Sequence, residues 1–277
     1  MEAPSISLAG SLAAFGAALA ASLILSLGMV LQKRHVFFVG HKGLHDAAFR
    51  RDRRGWLAGF VLVNLAPPFN YLALLGLPAN VVAAATGSNV AFAALFSALL
   101  LGEKIGAREL ILSLLLFGAI AVAGLRGGVV SVSSAPEIHF VWLFILVPFA
   151  LAALSVMFRS RSRSPGLAVA IGALSGAMGG FMLIPLKLLG GLGPGILAWL
   201  AAPWLWLYVG AGVFSFALVQ LAYKDGEMRR VAPAYYGLQV FWPALASLFV
   251  FSQPFDPAQW VAFAAIGACV ALMARGK

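Results

Sequence analysis

Nine stretches of mostly apolar residues, each close to the roughly 20 that a helix needs to cross a bilayer, constrain this chain more than any other feature. They run roughly 8–31, 55–76, 79–101, 107–125, 138–158, 166–190, 203–223, 231–252 and 257–274. The polar stretches between them are too short to form a soluble domain. The chain is 62% hydrophobic and only 10% charged, against about 25% charged in a soluble domain, so it cannot cover itself with a polar surface in water. The expected fold is an all-α integral membrane protein of about nine transmembrane helices, forming a single domain. The first run, Leu8 to Leu31, is longer than the apolar core of about 7–15 residues in a signal peptide. Glu2 precedes it and Gln32-Lys33-Arg34-His35 follows it, the reverse of a signal peptide's charge order. It reads as a retained helix, with cleavage near Ala21 as the alternative.

The net charge of +10 would suggest nucleic acid in a soluble protein. Here the charges sit in short loops beside apolar runs. Loop 32–54 holds Lys33, Arg34, Lys42, Arg50, Arg51, Arg53 and Arg54. Further groups are Lys104 with Arg108, then Arg159, Arg161 and Arg163, then Lys224, Arg229 and Arg230, and finally Arg275 and Lys277. Only Arg126 and Lys187 of the 19 basic residues fall toward the other side. The positive-inside rule then gives an odd number of crossings in the cytoplasmic (inner) membrane, N-terminus outside and C-terminus cytoplasmic. Loop 32–54 also suits anionic lipid headgroups. No nucleic-acid partner is expected.

Offset by 150 residues, the sequence matches itself weakly and without gaps: Gly87 falls on Gly237, Val81 on Val231, Val90 on Val240, Leu95 on Leu245, Ser97 on Ser247 and Trp56 on Trp206. Polar positions pair too, Asn70 with Gln220, Asn89 with Gln239 and Glu103 with Gln253. Segments one to four thus correspond to six to nine, giving repeat one at about 8–125, a connector helix at about 138–158 and repeat two at about 166–275. Partners lie an odd number of helices apart, so the repeats are inverted. Many secondary transporters are built this way, with the solute site near the midplane. The alternative is chance similarity between apolar stretches of like composition.

Leu99-Leu100-Leu101-Gly102-Glu103-Lys104, followed by a helix reaching Gly124, resembles a repeat ending of the drug/metabolite transporter (EamA-like) superfamily. Within it, the nine-helix branch that includes the NIPA-type magnesium transporters is the most similar. The features that match are the basic end of the first helix at Gln32-Lys33-Arg34, the Asn-aromatic pair Asn70-Tyr71, the sixth helix from Gly172 to Lys187, and Pro233-Ala234-Tyr235-Tyr236 in the eighth. This resemblance implies an inverted-repeat bundle and a transport function, with magnesium or another divalent cation as the branch's substrate. Two places depart from the branch. Asn64-Leu65-Ala66-Pro67-Pro68 stands where the branch often has a carboxylate, and Gly237-Leu238-Gln239 follows the tyrosines differently.

Ionisable groups in a bilayer mark function by default. All nine acids, Glu2, Asp46, Asp52, Glu103, Glu109, Glu137, Asp225, Glu227 and Asp256, lie in loops or at helix ends. Magnesium is held through carboxylates and waters, and the core offers none, although Glu109 is placed for a cytoplasmic vestibule. The candidate solute-binding residues are Asn64, Asn70, Tyr71, Ser88, Asn89, Lys187, Gln220, Tyr223, Tyr235, Tyr236 and Gln239, expected to converge on one cavity. Each has a plainer role open to it. The Asn residues and Ser88, beside Thr86, also suit bonds to freed carbonyls or neighbouring helices. Tyr235 and Tyr236 suit an aromatic belt. Lys187 is either a snorkelling side chain or a counter-charge for an anionic group.

His41 and His45 have metal-ligand spacing but no further ligand nearby, and read as loop residues. Gly190-Gly191-Leu192-Gly193 follows a membrane helix rather than a strand, so it is no phosphate loop. Cys269 is the sole cysteine. Neither an enzymatic reaction nor a cofactor or metal is expected. The reading is a secondary transporter that moves a small neutral or anionic metabolite, or a lipid-like amphiphile, by alternating access. Its partners are membrane lipids and that solute, with a homodimer left open. Single cysteines at Ser133 and Pro257, in a Cys269→Ala background, should react with an impermeant thiol reagent from outside, and one at Ser162 should not. External labelling at Ser162 overturns the topology.

Overall fold

The computed structural model describes residues 8–36, 47–76, 85, 87–126, 137–161, 164–190, 192, 196–252 and 255–274. Every regular element among them is helical: α1 (Leu8–His35), α2 (Ala47–Gly76), α3 (Asn89–Phe96) running into a π-helical turn (Ser97–Leu101), α4 (Ala107–Arg126), α5 (Ile138–Arg161), α6 (Pro165–Phe181), α7 (Leu183–Gly190), α8 (Ile196–Ala201), α9 (Pro203–Asp225), α10 (Met228–Val250) and α11 (Pro257–Ala274). Among the described residues, four stretches are long and apolar enough to cross a membrane: Leu12–His35, Ile138–Arg159, Pro165–Pro185 and Pro203–Asp225. Large apolar side chains such as Leu114, Leu146 and Val213 stand exposed along the helices, as lipid contact requires. The chain is therefore an all-α protein integrated in a membrane.

The apolar runs fall where helices form, with three differences. The sixth expected helix breaks at Met182 into α6 and α7. The third is described as a helix only from Asn89. The short α8 lay outside every expected segment, because six residues carry no readable period.

The chain divides into two compact units, Met1–Val129 and Val130–Lys277. The helix read as a connector, α5, falls inside the second. In the first unit α1 packs along α2 and also against α3. The α1–α2 contact closes on two glycines. A Cβ on Gly28 would stand 2.7 Å from the Gly59 carbonyl oxygen, and one on Gly59 would stand 2.6 Å from that of Gly28. His35 Nδ1 lies 3.1 Å from Asp52 Oδ1 and ties the end of α1 to α2. Gly102, at φ +66°, ends the π turn in the left-handed region that glycine enters without strain.

In the second unit α6 is the central helix, packed on α5, α9 and α10. The apolar stretch Pro165–Pro185, which contains it, is 67% buried, against 28% for those of α5 and α9, so α6 lies inside the unit and the other two on its outside. Ser164 caps α6 through Leu167 N–H, with Pro165 opening the helix. Asp256 and Gln259 form a reciprocal capping box at the start of α11, at 2.8 and 3.1 Å. Gly172, Gly176 and Gly180 recur every fourth residue and face α10. An added Cβ at Gly172 would stand 2.8 Å from Val231 Cγ1, while the carbonyls of Tyr235 and Gln239 lie directly against Gly176 and Gly180. Small residues at this spacing let membrane helices approach backbone to backbone.

Gly176→Ala should therefore force α6 off α10 and cost about 1–3 kcal/mol. Gly267→Ala, whose added methyl meets nothing within 4 Å, should be neutral or slightly stabilising, since Ala is the better helix former. Thermal unfolding of the two purified variants in detergent checks the contrast, and equal melting temperatures would refute it.

Candidate solute-binding residues

In the first unit the polar candidates divide into spent and unspent groups. Asn64 is exposed on α2, and its Nδ2 donates to the Phe60 carbonyl at 2.8 Å, back along its own helix. Ser88 is buried, with its hydroxyl on the Ala85 carbonyl at 2.7 Å. The carbonyl of Asn89 accepts from Ser26 Oγ at 3.1 Å, and that of Ala85 from Ser22 Oγ at 3.4 Å. Two hydroxyls one turn apart on α1 thus hold the segment at the start of α3. The side chains of Asn70 and Asn89 differ from these. Asn89 is only 5% exposed. Its Oδ1 and that of Asn70 are buried without a hydrogen-bond partner among the described residues. Asn70 follows Pro67 and Pro68, which lack the N–H groups that the carbonyls of Val63 and Asn64 would otherwise accept. Thr86 and the side chain of Tyr71 lie outside the described residues.

In the second unit Tyr223, Tyr235 and Tyr236 gather where α9 and α10 meet α6. Tyr223 is fully buried, within electrostatic reach of the other two. The rings of Tyr235 and Tyr236 meet edge-on at 5.3 Å. The Tyr235 hydroxyl bonds to Ser215. Ser215 and Ser175, which the sequence reading missed, clamp α9 to α6. Ser175 Oγ donates to the Ser215 carbonyl at 2.7 Å, and Ser215 Oγ returns the bond to the Ser175 carbonyl at 2.8 Å. The signal available was small-residue spacing, since Ser175 neighbours the glycine stripe and faces inward with it. Gln220 is half-buried one turn before Tyr223, and Gln239 half-buried one turn after Tyr235. The side chain of Lys187 lies outside the described residues.

Charged groups of this unit collect at helix ends. Arg159 at the end of α5 pairs with Asp225 at the end of α9. Arg229 and Arg230 both reach Glu227, at 3.0 and 3.3 Å. Among the described residues no three His, Cys, Asp or Glu side chains stand close enough together to hold a metal ion. The described candidate side chains inside the helices are amides and hydroxyls. Such groups both donate and accept, which suits hydroxyls, carbonyls and oxyanions. No family model, curated protein or solved structure matches the chain.

A double-mutant cycle on Ser175→Ala and Ser215→Ala should show a coupling of about 1 kcal/mol, near the upper range for hydrogen bonds between membrane helices. Additive losses would mean that the two hydroxyls act separately.

Proposed function

We propose that this chain is a secondary transporter of the drug/metabolite transporter superfamily. It carries a small neutral or anionic metabolite, or an amphiphile with such a polar part, across the cytoplasmic membrane. In this reading nine helices span the bilayer and form two inverted repeats with α5 as connector. One likeness inside the units supports the repeat. In the first unit, hydroxyls spaced four residues apart on α1 meet the carbonyls of Ala85 and Asn89. In the second, glycines spaced four apart on α6 meet the carbonyls of Tyr235 and Gln239. These carbonyl positions are partners under the 150-residue offset.

The observation that carries the reading is the buried, unpartnered amide oxygen of Asn89, with that of Asn70 beside it in kind. A buried polar atom without a partner costs about 1–3 kcal/mol, and native structures hold few of them. An apolar residue of the same shape would serve packing better. A solute hydroxyl or amide that bonds there when bound explains why the amide stands in place of a leucine. The same donors fit a hard cation poorly, because magnesium keeps its waters and takes carboxylates.

Asn89→Leu should fold as well as the parent or better, since it removes the unsatisfied group. It should also lose transport by about tenfold or more, the equivalent of one buried hydrogen bond to solute. Purified protein in proteoliposomes, tested for flux over polar metabolites, lipid-like amphiphiles and divalent ions, measures this. Magnesium uptake that is indifferent to Asn89→Leu and abolished by Glu109→Gln would make the chain a cation transporter and overturn the proposal.

A further inference from the structure

The second unit carries, along α5 and α9, an open apolar groove that the transport reading does not use. It encloses about 540 Å³ between α5 and α9, over a floor formed by Met178 of α6. Such a volume lies within the range of about 300–1,000 Å³ usual for ligand pockets. Ile145 and Phe149 form one wall, and Trp206, Leu207 and Phe214 form the other. The rings of Phe149 and Phe214 meet at 4.7 Å. Both residues lie eleven positions after the start of their helix, and the Arg159–Asp225 pair joins the far ends. The two helices therefore run parallel and in step, with both N-termini at one membrane interface.

That interface is marked by tryptophans. Trp142 stands in the first turns of α5, Trp204 and Trp206 open α9, and Trp199 lies on α8. Exposed tryptophans gather at the headgroup level of a bilayer. From Trp206 to Ala217 the groove follows α9 for eleven residues, about 16 Å at 1.5 Å per residue. This is half of a hydrocarbon core about 30 Å thick, so the groove spans one leaflet. It exists because Gly210 and Ala217 are small. Gly210 has no atom within 4 Å of where its Cβ would stand. Its lining is apolar, and the one polar atom of Trp206, Nε1, is spent on the Leu200 carbonyl at 3.1 Å.

We infer that this groove is a binding site for one acyl chain of a membrane lipid, taken from the leaflet at the N-terminal ends of α5 and α9 and recognised by its tail rather than its headgroup. The depth fits one leaflet, the walls are hydrocarbon and aromatic, and the pliable Met178 at the floor adapts to a flexible chain. The inference needs only a membrane-integrated chain and holds whatever solute is carried.

The test uses the full chain in nanodiscs of phosphatidylethanolamine and phosphatidylglycerol, doped with a phosphatidylcholine that bears a diazirine near the end of one tail. Photolysis and peptide mass spectrometry should find adducts concentrated on residues 145–149 and 206–217. Gly210→Leu fills open space and should lower those adducts about tenfold, the effect of displacing roughly two methylenes from contact. Ala217→Leu should do the same from the deep end, which keeps the test decisive if one variant folds poorly. Gly267→Leu, on α11 and also facing open space, should leave them unchanged. Adducts spread evenly over the exposed leucines of α4 and α11 would mean ordinary bilayer contact and sink the inference. So would groove adducts indifferent to both filling variants. Absent groove adducts together with a dimer that Gly210→Leu dissociates would show that a second copy of the chain sits there instead.

Discussion

The close approach of helix backbones at small residues is the interaction on which both units depend. Lipid tails are as apolar as leucine, so the hydrophobic effect gives membrane helices little reason to choose one another over lipid. Dispersion contacts and interhelical hydrogen bonds must supply the preference, and both need short distances. Gly28 against Gly59 supplies them between α1 and α2, and Gly172, Gly176 and Gly180 supply them between α6 and α10. The serine hydroxyls follow from the same proximity. Ser22 and Ser26 reach carbonyls on the α3 side, and Ser175 and Ser215 exchange bonds, because no bulky side chain holds the backbones apart. A larger residue at any of these glycines removes dispersion contact and hydrogen bonding together.

This packing also sorts polar groups by what remains for them to do. A serine that bonds a carbonyl one helix away is satisfied and holds the fold. Asn64, turned back on Phe60, is satisfied by its own helix. The tyrosines of α9 and α10 combine aromatic bulk with a hydroxyl, so they fill the space beside α6, and Tyr235 still finds a polar partner in Ser215. Charges are driven to helix ends, where Arg159 meets Asp225 and Glu227 meets Arg229 and Arg230. Among the described candidate side chains inside the helices, what is left is neutral, and it exchanges hydrogen bonds rather than charges.

Most of the helices were legible in the sequence, for a physical reason. The bilayer allows only structures that satisfy their own backbone, so an apolar run of the right length can hardly be anything but a helix. Its interruptions were harder to read. The break at Met182 falls inside an apolar stretch with Pro185 three residues beyond, and hydropathy does not register a lost hydrogen bond. Partners were harder still. The four-residue spacing of Gly172, Gly176 and Gly180 stood in the sequence as a packing signal, but not the helix it packs on. Ser175 and Ser215 escaped notice because a serine in an apolar helix reads as filler until the opposing carbonyl is known. Side-chain chemistry alone picked out the asparagines, Ser88, Lys187, the glutamines and the tyrosines alike. Only geometry separated Asn89, with its unspent oxygen, from Ser88 next to it, whose hydroxyl proton is given to the Ala85 carbonyl.

That separation bears on how specificity can arise in such a bundle. A site of fixed charges would bind tightly but would demand costly desolvation on each side of the membrane. Amides and hydroxyls are cheaper to bury and discriminate chiefly against solutes that leave them unpaired. A carrier must also release what it binds, so moderate interactions that can be exchanged for water suit its cycle better than a deep charged well. If the chain is the carrier proposed above, Asn89 suits this requirement, because its backbone is fixed by Ser26 while its side chain keeps an acceptor in reserve. The fold holds the residue in place through its main-chain carbonyl, and in the proposed transport reading the solute takes the other.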